Sequence, residues 1–421
     1  MSRMDHPRRV AFVSTHPIQY FSPLFRQLAV YDGWKLNVLY CHRATAEEQS
    51  AAGFGNSFEW DIPLLDGYRY GFLNNVSRRP SLASYAGLDT PELAALIHDR
   101  QFDAVVVHGW HYKSAWQAIR ACRKAGVPVL VRSDSHLRTE RHVMKRAAKW
   151  PFYRWFIPRL DACLPVGQWS RDYFCHYGAD PSRVFVVPHC VDTARFSRQA
   201  VSLAAQRSDL RERWRLDPGS VVWLFAGKFI EKKRPLDFVK AIARAQQLGV
   251  SLQGLMVGDG PLRPVCESYA DANQANIRFA GFLNQSEIAQ AYVAADALAL
   301  PSDGGETWGL VVNEAMVCGR SCLVSDHVGC GPDLIEEGRT GGIFRLDDVD
   351  SFAAALWKYS SPETLARMGE LAFRKIQEQS VGSTAARLME AVEQTIGRTP
   401  AARLSHDATP SRDRQGAVLR H

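Results

Sequence analysis

Val221-Val-Trp-Leu-Phe-Ala-Gly-Lys-Phe-Ile-Glu-Lys-Lys-Arg-Pro-Leu-Asp-Phe-Val-Lys-Ala-Ile242 holds the plan of the chain in one stretch. Val221 to Phe225 is an unbroken apolar run of strand length, closed by a glycine turn and a basic loop. Leu236, Val239 and Ile242 then recur at helical spacing on one face. A strand without apolar/polar alternation is buried on both faces, which is the situation inside a parallel sheet covered by helices. The same unit repeats outward in both directions. In the second half, strands are expected at Leu252 to Val257, Asn276 to Phe279, Ala297 to Leu300, Ser321 to Val324 and Gly342 to Phe344. In the first half they are expected at Arg9 to Ser14, Leu36 to Tyr40, Ala104 to His108, Pro128 to Arg132, Ala162 to Pro165 and Val184 to Val187. Two such successions predict an α/β protein of two doubly wound, Rossmann-like domains facing each other across a cleft.

Length and composition agree. A chain of 421 residues exceeds one core, and 46% hydrophobic with 23% charged residues is the balance of a packed globular protein. The expected division is a first domain over 8–190, a hinge over 191–217, a second domain over 218–380, a terminal helix over 381–397 and a disordered tail over 398–421. No apolar run reaches membrane-spanning length and the opening residues lack a signal-peptide core, so a cytoplasmic location is expected. Nine cysteines without a C-x-x-C pair read as buried reduced thiols. The net charge of +7 favours anionic partners without choosing among them.

Ligands of open parallel sheets bind beyond the carboxyl ends of the strands, so the loops there are the candidates. Pro301-Ser-Asp-Gly-Gly-Glu-Thr-Trp-Gly-Leu-Val-Val-Asn-Glu-Ala-Met-Val-Cys-Gly319 is a strand end, a glycine loop and a helix. On one helix Glu306 and Glu314 would stand about 12 Å and about 80° apart, beyond sharing a small ligand. With Glu306 on the loop and Glu314 in the opening turns, both reach one elongated ligand. The free N–H groups of Leu310, Val311 and Val312 at the helix start suit a phosphate. Lys228 and Lys233 lie where their strand faces the cleft and could neutralise a departing diphosphate. The plain alternatives are solvated acids and a solvated basic loop.

On the first domain, His16 and Gln19 in Ser14-Thr-His-Pro-Ile-Gln-Tyr20, and Asp134 and His136 in Val131-Arg-Ser-Asp-Ser-His136, follow strands and suit sugar hydroxyls or proton transfer. His108-Gly-Trp-His111 has no metal-ligand spacing, and Asp348-Val-Asp350 reads as a helix cap, so no metal site is expected. Gly258 in Val257-Gly-Asp-Gly-Pro261 allows close approach but lacks a dinucleotide fingerprint. Arg138 to Arg159 mixes basic residues with Trp150, Phe152, Tyr153, Trp155 and Phe156. Its plainest reading is a core-packed helix pair with a solvated basic edge; an anionic membrane surface ranks next and nucleic acid last.

Taken together, Glu306-x7-Glu314, Gly227-Lys-x4-Lys233, Gly258-Asp-Gly-Pro261, Val187-Pro-His-Cys-Val-Asp192 and Asp326-His-Val-Gly-Cys-Gly-Pro-Asp333 resemble the GT-B retaining glycosyltransferases of family 4, from about Val10 to Ile396. The resemblance implies a retaining, metal-independent transferase that moves a sugar from a nucleotide diphosphate sugar to a hydroxyl of a glycan or glycolipid, with no further cofactor. It places Glu314 on the ribose, Glu306 beside the donor sugar, Lys228 and Lys233 on the diphosphate, and the amides of Trp308, Gly309, Leu310 and Val311 on sugar and phosphate. It also places His136 near the reacting sugar, Arg278 at the nucleobase, and Gly227 and Gly258 at the edge of the donor pocket. The setting it implies is polysaccharide or glycolipid assembly; peripheral contact with the inner face of a membrane is the expectation that Arg138 to Arg159 carries. Pro17 departs from the paired glycines many members carry in the first loop, and it offers no N–H to a phosphate there. A non-catalytic sugar-nucleotide sensor and a GT-B-like epimerase are the competing readings.

Overall fold

A computed structural model describes residues 6–45, 59–138 and 143–398. The tail expected over 398–421 lies outside them except for Arg398, which ends a helix. Two six-stranded sheets organise the chain. The first contains β1 (Arg8–Ser14), β2 (Trp34–Tyr40), β3 (Tyr70–Phe72), β4 (Ala104–His108), β5 (Val129–Ser133) and β6 (Ala162–Pro165), in the order β3-β2-β1-β4-β5-β6. The second contains β7 (Val221–Ala226), β8 (Leu252–Val257), β9 (Ile277–Gly281), β10 (Ala297–Leu300), β11 (Ser321–Ser325) and β12 (Gly341–Phe344), in the order β12-β11-β10-β7-β8-β9. Every pairing within the sheets is parallel. Each half therefore has the doubly wound order in which the first strand lies beside the fourth. That reversal opens a crevice at the carboxyl ends of β1 and β4, and of β7 and β10.

The core follows from the strands. All six residues of β7 are buried, with Val222, Leu224 and Ala226 on one side and Val221, Trp223 and Phe225 on the other, each set joining a separate helix-covered cluster. This is why these strands read as continuous apolar runs. Proline opens the helix Pro235–Gln247 at a position whose N–H would be unpaired anyway.

Two expectations change. β3 has only three residues and left no apolar run to find. Val184 to Val187 lies along β6 but forms a single isolated bridge, Cys163 with Val184. Phe185 and Val187 donate to the carbonyls of Cys163 and Pro165, while the return bond of the ladder would come from residue 165, a proline with no N–H.

The stretch expected as a hinge is helical. Thr193–Leu203 and Arg207–Arg213 form two helices, and Phe196 and Leu210 bury in the second core. Arg211 and Arg207 fasten the second of them by ion pairs of 2.7 and 2.6 Å to Asp296. The last helix, Val381–Arg398, returns to the first domain, where Leu388, Val392 and Ile396 pack with Val10, Phe12 and Phe25. No helix among the described residues is long and apolar enough to cross a membrane.

Candidate functional site

A cavity of about 460 Å³ opens between the sheets at the two crevices. The loop after β7 brings Gly227, Lys228, Lys232 and Lys233 to it; the loop after β10 brings Glu306, Thr307, Trp308 and Gly309; the helix Leu310–Val317 brings Leu310, Val311 and Glu314. Gly258, after β8, closes the far side. It has φ +127°, and a Cβ there would stand 1.9 Å from the carbonyl oxygen of Gly227. Only glycine lets these two loops touch.

Electrostatics divide the two glutamates. The Glu306 carboxylate is buried and paired with the Lys233 ammonium, with the Ser302 hydroxyl 3.4 Å away. Burial pushes its pKa up, but Lys233 and Lys232 together with these hydrogen bonds outweigh that and hold it below the usual value. Glu314 accepts a 2.6 Å hydrogen bond from the Tyr292 hydroxyl. Burial dominates there and holds its pKa above the ordinary value, against Tyr292, Arg195 and Gln285. Lys228 is pushed down to about 8, by burial first and then by the positive charges of Lys232 and Lys233, with Glu306 opposing. An anion entering this pocket therefore meets a lysine cluster poorly solvated by water, with one of its members already neutralised by Glu306.

Gly309 precedes the helix with φ +101°, and no side chain caps the helix start. The expectation of three free amides narrows, because the Val312 N–H donates to the Gly309 carbonyl at 2.9 Å. Leu310 and Val311 remain as the amides at the cavity. The Trp308 indole donates to Asn313 at 2.9 Å, and the Asn313 amide donates to the His189 carbonyl at 3.4 Å, so the loop is tied to the segment leaving the first domain.

Of the first-domain candidates, Gln19 and Asp134 line the cavity and His16 and His136 do not. His136 is buried against Trp169 and its Nδ1 accepts from the Arg138 N–H at 3.2 Å, which turns the ring into its own loop. The His16 Nδ1 stands 3.0 Å from the Thr15 hydroxyl, beside the strand end. Arg278 also misses the cavity: on edge strand β9 its guanidinium donates to the Arg215 carbonyl at 3.1 Å, and Phe282 and Leu283 line the cavity beyond it. Asp348 caps the helix Val349–Tyr359 through the Ser351 N–H at 2.8 Å. Residues that sequence reasoning missed include Arg195, Tyr292, Thr307, Tyr20, Trp60 and His189. Thr307, Tyr20 and His189 sat within quoted motifs; the others come from the connecting segments and a buried helix, where no spacing marks them.

The domains meet beside the same loop. The Thr307 hydroxyl donates to Asp134 at 2.7 Å. Asp333 accepts from the Gln168 N–H at 3.1 and 3.2 Å, capping the start of helix Gln168–His176 from the opposite domain. Gly167 permits this approach: a Cβ there would lie 2.4 Å from Trp308 and 2.7 Å from Asp333.

Comparison with known proteins follows the two halves. Residues 16–195 match the model described as Glycosyltransferase Family 4, and residues 220–361 match that described as Glycosyl transferases group 1. A D-inositol 3-phosphate glycosyltransferase of Pseudarthrobacter chlorophenolicus is 32% identical over 240 residues, 54% of either chain. One of Kineococcus radiotolerans is 31% identical over 247 residues, 54% of this chain and 55% of its own. The chain thus spans about half the length of these curated relatives. Among solved structures, a glycosyltransferase from Rickettsia africae superposes with TM-score 0.71 at 14% identity, over 93% of this chain and 99% of its own. Anabaena HepE in complex with UDP and glucose superposes with TM-score 0.64 at 15% identity, over 91% and 99%. Two doubly wound domains, a cationic loop and a paired-glutamate loop at their crevice, and family matches over both halves agree: the chain belongs to the group 1, family 4 glycosyltransferases of the GT-B fold.

Proposed function

We propose that this chain transfers a sugar from a nucleotide diphosphate sugar to a hydroxyl acceptor, with retention at the anomeric carbon and without a metal ion. The observation that carries the reading is the convergence of Lys228, Lys233, Glu306, the Leu310 helix start and Glu314 on one cavity. The bond from anomeric carbon to diphosphate oxygen breaks and a bond from anomeric carbon to acceptor oxygen forms. The acceptor proton passes to the leaving phosphate, giving a nucleoside diphosphate and a glycoside. Negative charge grows on the diphosphate as it leaves, and the lysines with the amides of Leu310 and Val311 answer it in a poorly solvated site. Glu314 takes the ribose hydroxyls, and Glu306 orients Lys233 beside the sugar. The lysine cluster supplies the charge a divalent cation would otherwise bring. The complexes of HepE with UDP and UDP-glucose support uracil as the base.

The acceptor is a glycan or glycolipid in surface polysaccharide or glycolipid assembly, reached from the inner face of an anionic membrane. Trp150, Phe152 and Trp155 are about half exposed on the helix Val143–Phe156, with Arg154 and Arg159 stacked on Trp150 and Trp155. Exposed tryptophans beside arginines suit a headgroup layer. Tyr153 and Phe156 of the same helix are core residues.

Thermal shift with UDP, GDP, ADP and TDP and their sugars, with and without EDTA, tests the donor site. The expected result is a shift with uridine ligands that ignores EDTA and disappears in Glu314→Ala. A shift that requires a metal, or none at all, overturns the reading. Retention is read from the product anomer by NMR, and membrane contact from sedimentation with anionic vesicles.

A further inference from the structure

The charges around the cavity are segregated. Its cations are Lys228, Lys232, Lys233 and Arg195, all from the second domain or the connecting helix packed on it. Among the described residues, no lysine or arginine of the first domain lines it; that wall brings Gln19, Tyr20, Trp60 and the carboxylate of Asp134. Arg132 exerts its charge on Asp134 and Tyr20 without lining the cavity. It is 1% exposed behind the wall and donates to the carbonyls of Val187 and Pro188 at 3.2 and 3.1 Å. His189 lines the cavity as a neutral ring, its pKa held well below its ordinary value by burial and then by Arg132 and His108.

Asp134 already holds a hydroxyl. The Thr307 Oγ1 donates to it at 2.7 Å, from the residue between Glu306 and Trp308. An alcohol on this carboxylate, beside the group that would face the donor sugar, occupies the place an acceptor hydroxyl would need. Tyr20 and Trp60 give the same wall aromatic surface for the C–H face of a sugar ring. A phosphate there would meet a carboxylate, with no lysine or arginine of the same wall lining the cavity among the described residues.

We infer that the acceptor is an uncharged sugar or polyol seated on the first-domain wall, its hydroxyl received by Asp134, and that phosphorylated acceptors are excluded from that wall. The inference rests on the transferase reading and separates this chain from relatives named for a phosphorylated acceptor. Thr307 holds Asp134 in place until the acceptor hydroxyl displaces it.

The test is binding of the full chain, saturated with UDP, to an array of neutral oligosaccharides and their phosphorylated counterparts, with D-inositol 3-phosphate titrated separately in solution. UDP binding by the wild-type protein is measured first; its failure counts against the donor site alone. Neutral glycans should be retained at least about tenfold more tightly than phosphorylated ones. Asp134→Lys, checked for folding by circular dichroism, should reverse that preference, and Thr307→Val should leave or strengthen neutral binding. Preference of the wild type for phosphorylated ligands, tight binding of D-inositol 3-phosphate, retention of no glycan at all, or an unchanged preference in Asp134→Lys would each overturn the inference. If Asp134→Lys does not fold, Asp134→Asn replaces it, with weakened neutral binding as the expected result and unchanged binding as the contrary one.

Discussion

The two walls of the cleft share one strand order and differ in how they are charged. The second-domain wall carries three lysines, a buried ion pair and an uncapped helix start, all placed by loops that leave β7 and β10. The first-domain wall carries one carboxylate, one amide, two aromatic rings and the neutral imidazole of His189, from loops that leave β1 and β5, the segment near Trp60 and the segment that leaves the domain. On the proposed reading, the same topological crevice serves a leaving anion on one side and a neutral hydroxyl on the other. The fold fixes where a ligand sits, and the loops decide which chemistry it meets.

The largest effect should come from breaking the charged wall. Lys233→Ala removes the partner of Glu306 and one of the cations facing the leaving group. Turnover should fall about 10²- to 10³-fold, the range for losing one placed donor in such sites. The buried Glu306 is left unpaired, so a lower melting temperature is expected as well, and Lys233→Ala combined with Glu306→Gln should restore the melting temperature without restoring turnover. Sugar release from the donor in the presence of acceptor is the assay; near wild-type turnover in Lys233→Ala would remove the charged wall from the mechanism.

Glu314→Gln comes next. Its carboxylate is held above its normal pKa by burial yet stays bonded to Tyr292, so the amide should fit with little loss of stability. Donor affinity should weaken about ten- to a hundredfold, as one or two hydrogen bonds to a charged group are lost. Calorimetry with UDP reads it, and an unchanged affinity would place the ribose elsewhere.

The difference between the walls also explains what could be read beforehand. Gly227, Lys228, Lys233, Glu306 and Glu314 lie within single strand-loop-helix units, where spacing alone puts them at a crevice. The two sheets were legible for the same reason: strands buried on both faces leave uninterrupted apolar runs. Gln19 and Asp134 were also accessible by their position after a strand, but position does not set side-chain direction. His136 turns back onto Trp169, His16 stays with Thr15, and Arg278 turns to Arg215 on an edge strand. Trp60, His189 and Arg195 come from segments that reach the cavity only through tertiary packing. The return of Val381–Arg398 to the first domain is likewise a pairing between distant surfaces, and an amphipathic pattern does not name its partner.

A smaller effect follows from pushing the walls apart. Gly167→Ala would place a methyl group into Trp308 and the Asp333 carboxylate, at a residue whose own backbone is extended and tolerates alanine. The contact must shift, and with it the loop that carries Thr307 and Trp308. Turnover should drop about tenfold, since small misplacements of reacting groups are costly, while UDP affinity and melting temperature change little. Equal losses in turnover and stability would mean that the contact is only a packing feature.

The smallest effect is a pH dependence confined to the charged wall. Burial and the neighbouring Lys232 and Lys233 push Lys228 down to about 8, so in the empty site it carries its charge below that pH and loses it above. A bound diphosphate favours the charged form, and the second ionisation of a terminal phosphate, near about 6, is complete before Lys228 titrates. Binding therefore takes up a proton on the alkaline side, and UDP affinity should fall as pH rises from 7 to 9, by about tenfold. Arginine stays charged throughout this range, so Lys228→Arg should flatten the profile even if its absolute affinity differs. Calorimetry at pH 7, 8 and 9 in two buffers of different ionisation enthalpy measures both the affinity and the proton taken up. A flat wild-type profile, or the same slope in Lys228→Arg, would show that the diphosphate does not rest on Lys228. The neutral wall offers an internal control: glycan binding to a UDP-saturated protein should stay level over the same interval, because the diphosphate keeps Lys228 charged.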